Sequence, residues 1–155
     1  MRGKQAPKRD IKPDTTYNSV IVSRLINNVM MHGKKETARN LVYAALEDLA
    51  KKTKLNGAEA LEKALENVKP KVEVRSRRVG GANLQVPVPV NSYRQDSLAI
   101  RWILEAARSS RKDTSFSVTL SRELFNAFNK EGSAYKKKEE VFRMAEANKA
   151  FAQFA

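Results

Sequence analysis

Arg94, Arg101 and Arg108 recur every seven residues. On an α-helix that spacing drifts by only about 20° per heptad, so the three guanidinium groups line one side. A guanidinium fork matches paired phosphate or carboxylate oxygens, and such a row can grip a polyanion. Further cations gather at Arg2, Lys4, Lys8, Arg9 and Lys12, at Lys34 and Lys35, and at Lys71, Arg75, Arg77 and Arg78. Arg111 and Lys112 follow the arginine row, and Lys136, Lys137 and Lys138 stand consecutively near the end. Groups suited to bond-making chemistry are scarce by contrast. With 0 Cys there is no thiol nucleophile, no thiolate zinc site and no disulfide, and the single His32 has no second imidazole with which to hold a metal. Glu139 and Glu140 are adjacent and do not face each other. Glu59, Glu62 and Glu66 have the spacing of a solvated helix face. Val79-Gly80-Gly81-Ala82 lacks the Lys-Ser/Thr of a phosphate loop. No catalytic set or cofactor site is expected.

The elements that must carry these cations fit one domain. The chain has 155 residues, 30 Lys or Arg against 17 Asp or Glu, a net charge of +13 and 41% apolar residues, enough to close a core. Such an excess of positive charge calls for a polyanionic partner. The N-terminal stretch MRGKQAPKRDIKPD has no apolar segment of a secretory signal, and no run approaches the ~18 apolar residues of a membrane span. Residues 1–13 are read as an extended basic arm interrupted by Pro7 and Pro13, and residues 14–155 as a single domain. No membrane partner is expected.

Apolar residues at helical spacing predict a helix from about Asn18 to Met31 that closes at Gly33. A second runs through Ala38 to Leu49, and a third runs from Gly57 towards Pro70. The period then changes to two. Val72 and Val74, then Leu84, Val86, Val88 and Val90, alternate with polar residues or prolines, which predicts a β-hairpin over about 72–90 turning at Gly80-Gly81-Ala82-Asn83. Pro87 and Pro89 belong on its outer edge. Such a ribbon reads as an arm held out for a partner. Ser92 to Gln95 has the form of a capping box opening the arginine-lined helix. A fifth helix carries Phe116, Leu120, Leu124 and Phe128, and Gly132-Ser133 precedes a sixth. There Lys136 to Lys138 sit where the helix dipole disfavours cations, a broken rule that hints at function. The fold class is mainly α: six helices, a protruding two-stranded hairpin and a basic N-terminal arm.

The residues alone leave structured RNA and DNA both open, as a polyanion read by backbone and shape. The hairpin carries no Phe, Tyr or Trp for base stacking, and Val79 is a poor wedge for kinking a duplex. Specific strings narrow the choice. Pro70-Lys71-Val72-Glu73-Val74-Arg75-Ser76-Arg77-Arg78-Val79-Gly80-Gly81-Ala82-Asn83, Gln85-Val86-Pro87-Val88, Leu98-Ala99-Ile100-Arg101-Trp102 and Arg143 through Ala152 occur in this order. With Met31-His32-Gly33-Lys34-Lys35, they make the chain resemble the family of bacterial small-subunit ribosomal protein seven from about Asp14 to Phe154.

The resemblance implies a non-enzymatic constituent of the small ribosomal subunit, in the cytoplasm or a plastid. Such a protein binds the rRNA of the subunit head, nucleates its assembly and lies at the subunit interface near the tRNA exit site. The implied rRNA contacts are the cations named above. The implied exit-site tRNA and mRNA contacts are Arg78, Val79, Gly80, Gly81, Ala82, Asn83, Arg143, Asn148 and Lys149. Neighbouring ribosomal proteins and, in some members, their own operon message are implied as further partners.

Binding through such cations is expected to be largely electrostatic. If six to ten phosphates are neutralised, affinity for RNA should fall by roughly 10³–10⁵ between about 50 and 200 mM salt, on the scale set by duplex DNA. A filter-binding titration showing a log–log salt slope near zero would exclude it.

Overall fold

The apolar stripes become the core-facing sides of six α-helices in the computed structural model, which describes residue 3 and residues 10–154. Arg2, Lys4, Lys8 and Arg9 of the expected arm lie outside the described residues, and Lys12 is exposed. The order is α1 Val20–Val29, α2 Lys35–Thr53, α3 Gly57–Val68, β1 Val72–Val79, β2 Ala82–Pro89, α4 Ser92–Ser109, α5 Phe116–Phe128 and α6 Gly132–Ala147, closed by a 3-10 helix over Lys149–Phe154. Leu25 and Ile26 of α1, Leu46 and Leu49 of α2, Leu61 and Leu65 of α3, Ile100 and Ile103 of α4, and Leu120 and Leu124 of α5 form one buried cluster. The fifth helix is its axis, packing against α2, α3, α4 and α6. The sixth buries only Ala134 and Ala145 and leaves Phe142 and Met144 exposed.

Several boundaries differ from the sequence reading, each for a local reason. The first helix stops at Val29, and Gly33 belongs to the turn beyond it, where His32 and Gly33 have φ of +53° and +73°. Asn91 rather than Ser92 caps α4. Its side chain accepts from the Arg94 amide at 2.9 Å, while Gln95 Nε2 donates to the Val90 carbonyl at 2.9 Å. Only Gly80 and Gly81 form the hairpin turn, with φ of +56° and +89°, so Ala82 and Asn83 already belong to β2. Val72 pairs with Pro89 and Val74 with Pro87.

The ribbon is not free along its length. Val86 is fully buried, β1 packs against α6, and β2 packs against the 3-10 helix. Two strands alone are marginal in water, and these neighbours supply the missing backing. Residues 75–78 and 80–83 remain exposed.

The junction between α5 and α6 turns on an acid. Glu123 is buried, and its Oε1 accepts the Ala134 amide at 2.9 Å, which caps the first turn of α6 from the neighbouring helix. Gly132 makes the approach possible. Its φ is +89°, and a Cβ there would lie 2.9 Å from the same oxygen. Glu123→Ala should therefore cost about 1–3 kcal/mol, the scale of a lost hydrogen bond to a buried charged group. Glu123→Gln, which keeps an acceptor, should lose less. Urea unfolding checks this, and equal losses in the two variants would contradict the capping role.

Candidate nucleic-acid interface

The fourth helix organises the cations. Its Arg94, Arg101 and Arg108 span about 21 Å at 1.5 Å per residue, with Arg101 and Arg108 exposed and Arg94 half-buried. At its N-terminal end Glu73 of β1 stands between two arginines, pairing with Arg75 and, at 3.3 Å, with Arg94 Nε. Glu73 is the one acid between residues 71 and 90, and that isolation was the sequence signal for its role. The carboxylate ties the ribbon root to the start of the arginine row. Beyond it, Arg77 Nη1 donates to the Phe154 carbonyl at 2.9 Å. Arg78 lies on the opposite face, exposed and without an acidic partner among the described residues.

At the C-terminal end of α4, Arg108 Nη2 donates to the Asn28 carbonyl at 3.4 Å. Arg108 and Arg111 here meet Lys34 around a groove of about 330 Å³ whose floor includes Met31, Leu41 and Phe116. Residues more than 70 positions apart in the chain thus share one surface. Lys35 and Lys112 are exposed beside them in sequence.

A second groove, of about 600 Å³, lies between the end of α3, the start of β1 and α6, and is lined by Lys71, Lys138 and Arg143 together with Glu66, Glu139 and Glu146. Lys136 and Lys137 are exposed, and Lys137 pairs with Glu140 at 3.0 Å. Lys138 has a structural explanation that the sequence did not reveal. Its Nζ donates to the Asn67 carbonyl at 2.7 Å, in the last turn of α3. The Asn67 side chain in turn donates to the Ala127 and Phe128 carbonyls at the end of α5. The cation thus sits on the negative end of α3, and Asn67 links that end to the end of α5. Burial nevertheless pushes its pKa below the ordinary lysine value, with Lys130 and Lys71 adding repulsion. Asn148 Nδ2 closes α6 on the Met144 carbonyl at 2.7 Å, and Lys149 opens the 3-10 helix beside β2. The ribbon and the residues Arg143, Asn148 and Lys149 therefore lie on adjoining elements.

Asp96 holds this helix in place. Its two oxygens take Arg24 Nη1 of α1 at 2.8 Å and Lys69 Nζ, just past α3, at 3.1 Å. The Arg24 guanidinium also lies 4.7 Å from the Tyr93 ring centre. Asp14 does the same for the start of the body, accepting from the Thr16 and Tyr17 amides and from the Tyr43 hydroxyl of α2. No cluster of His, Cys, Asp and Glu suited to a metal occurs among the described residues. No helix among them is long and apolar enough to cross a membrane.

A helical body with an arginine-lined helix, a cation-rimmed groove and a backed basic ribbon defines a class of polyanion-binding structural protein. Comparison with known sequences makes this specific. The model of the family described as ribosomal protein S7p/S5e matches residues 1–149. The chain is 56% identical over 154 residues to the small ribosomal subunit protein uS7 of Thermosipho africanus, covering 99% of each chain. It is 52% identical to that of Nautilia profundicola and 51% to that of Helicobacter hepaticus, again over 99% of each. The chain belongs to the ribosomal protein S7p/S5e family.

The joint at Asp96 gives a pH prediction. Burial alone would lower the Lys69 pKa, but hydrogen bonds to Glu66 and Asp96 outweigh it, and the group titrates above its ordinary 10.5. The folded protein then holds a proton that the unfolded chain releases, so this contribution is full below 10.5 and is lost as pH rises through the higher folded value. Urea unfolding from about pH 9.5 to 11.5 should show stability falling more steeply in the native protein than in Lys69→Met. Parallel curves would contradict it.

Proposed function

We propose that the chain serves in the cytoplasmic small ribosomal subunit as a primary rRNA-binding protein that nucleates assembly of the subunit head and reaches exit-site tRNA and mRNA. Family membership carries the coarser part: this is a structural, non-enzymatic ribosomal component. The finer part rests on one observation, the division of the cations by α4. Its C-terminal end carries the groove rimmed by Lys34, Arg108 and Arg111, and its N-terminal end carries the ribbon through Glu73. The two ends are separated by about 21 Å, roughly four helical turns, which gives room for two RNA contacts.

In this reading Lys34, Lys35, Arg101, Arg108, Arg111 and Lys112, with the N-terminal cations, grip head rRNA. Arg94 and Arg75 anchor the ribbon root, and the tip from Arg78 to Asn83 reaches the exit-site RNAs with Arg143, Asn148 and Lys149. The same surfaces would take the chain's own operon message, and the exposed face of α6 would meet neighbouring ribosomal proteins.

Filter binding of a small-subunit head rRNA fragment against duplex DNA of equal length tests the reading. The rRNA fragment should bind tighter at the same salt, and equal affinities would favour an architectural DNA-binding role. Arg101→Ala combined with Arg108→Ala should flatten the log–log salt slope by about two phosphate contacts. Deletion of Gly81 to Leu84 should leave rRNA affinity intact while altering exit-site tRNA retention. Loss of rRNA binding on that deletion would overturn the division.

A further inference from the structure

The groove between the end of α3, the start of β1 and α6 holds two lysines in opposite states. Lys69 Nζ is gripped by Glu66 at 3.0 Å and by Asp96 at 3.1 Å, and it titrates above 10.5. Lys138 has no carboxylate at ion-pair distance among the described residues. Its Nζ donates to the Asn67 carbonyl at 2.7 Å and lies 5.1 Å from the Tyr135 ring centre. An amine held by a neutral carbonyl keeps that hydrogen bond when it loses a proton, whereas one held by two carboxylates gives up its ion pairs. Burial favours that loss by lowering the Lys138 pKa. Lys130 and Lys71 add repulsion, while Glu139 and Glu66 act against it. Around this amine the groove, of about 600 Å³, carries the exposed cations Lys71 and Arg143 and the rings of Tyr135 and Phe142. Phe142 is 56% exposed, with its ring given to the groove rather than to the core. Of the acids there, Glu66 is taken up by Lys69, and Glu139 and Glu146 are exposed. Such a recess has room for a small organic anion. Its cations suit a phosphate, its rings suit an apolar group, and a neutral amine is a nucleophile for a carbonyl between them.

We propose that Lys138 is a site of acylation by a small acyl phosphate, whose phosphate rests on Lys71 and Arg143 and whose acyl group lies against Tyr135 and Phe142. The Lys138 ammonium first releases a proton to water. Its Nζ lone pair then attacks the acyl carbon, a C–N bond forms and the C–O bond to phosphate breaks. The phosphate leaves with the electron pair and takes up the proton that the amine sheds. The amide product keeps one N–H for the Asn67 carbonyl but carries no charge. Helix α6 thus keeps its seat on α3, while the surface offers a polyanion one cation fewer.

The test exposes the full chain to acetyl phosphate and reads the acetylated fraction at each lysine by mass spectrometry, with unreacted lysines capped afterwards by deuterated reagent. Lys136 and Lys137 are the internal controls, since both are exposed on the same helix. In the folded protein Lys138 should react about tenfold faster than either, the scale of one charge-assisted contact to the reagent. In guanidinium chloride the three rates should converge. Arg143→Gln removes a cation at an exposed position. It should slow the reaction of Lys138 with acetyl phosphate about fivefold. It should leave unchanged the reaction with acetyl N-hydroxysuccinimide ester, which has no phosphate. Lys138→Arg should abolish the fast site and leave Lys136 and Lys137 as they were. The proposal is overturned if Lys138 reacts no faster than its two neighbours in the folded chain, or stays faster in denaturant. It is overturned equally if Arg143→Gln slows both reagents alike or slows neither.

Discussion

A chain of net charge +13 must fold against its own repulsion, and its scarce acids are placed where that matters most. Asp96 joins α4 to α1 and to the end of α3. Glu123 joins α5 to α6, Glu73 joins the ribbon to α4, and Asp14 joins the segment before α1 to α2. Each bonds to an element other than its own, and each is wholly or largely withdrawn from water. Much of the remaining positive charge faces outward, with Arg78, Arg101 and Arg111 exposed. Acids at the joints and cations at the surface together make a body that holds its shape while keeping its positive charge for a partner.

The apolar core fixes where those cations end up. The fifth helix fills the centre, and α2, α3, α4 and α6 take their positions from it. Because α4 packs against this axis with its inner side buried, Arg101 and Arg108 emerge on the outside. The ribbon depends on the same packing. Val86 is buried, and the 3-10 helix lies on β2, so the exposed tip is held by a root that is part of the body.

The helices and the hairpin were legible because period 3.6 and period 2 are written directly in the apolar residues, as at Val20 to Met30 and Leu84 to Val90. What stayed hidden was tertiary. Nothing near Lys138 in sequence shows that the end of α3 meets it, or that Asn67 there reaches the end of α5. A glutamate inside an amphipathic helix gives no sign that Glu123 caps the next one. The cations of the candidate interface were all visible as residues. Their grouping was not, since Lys34 meets Arg108 and Arg111 only after α1, α2 and α4 pack.

The division of the surface by α4 is the centre of this account, and the chain offers a clean way to test it. With 0 Cys in the sequence, a single cysteine can carry an iron chelate that cuts nearby RNA. Ser110→Cys reports from the groove end and Ala82→Cys from the ribbon tip, both at exposed positions. In assembled subunits carrying exit-site tRNA and mRNA, cleavage from position 110 should fall on rRNA alone, while position 82 should also cut tRNA or mRNA. Cleavage of tRNA or mRNA from position 110 and not from position 82 would contradict it.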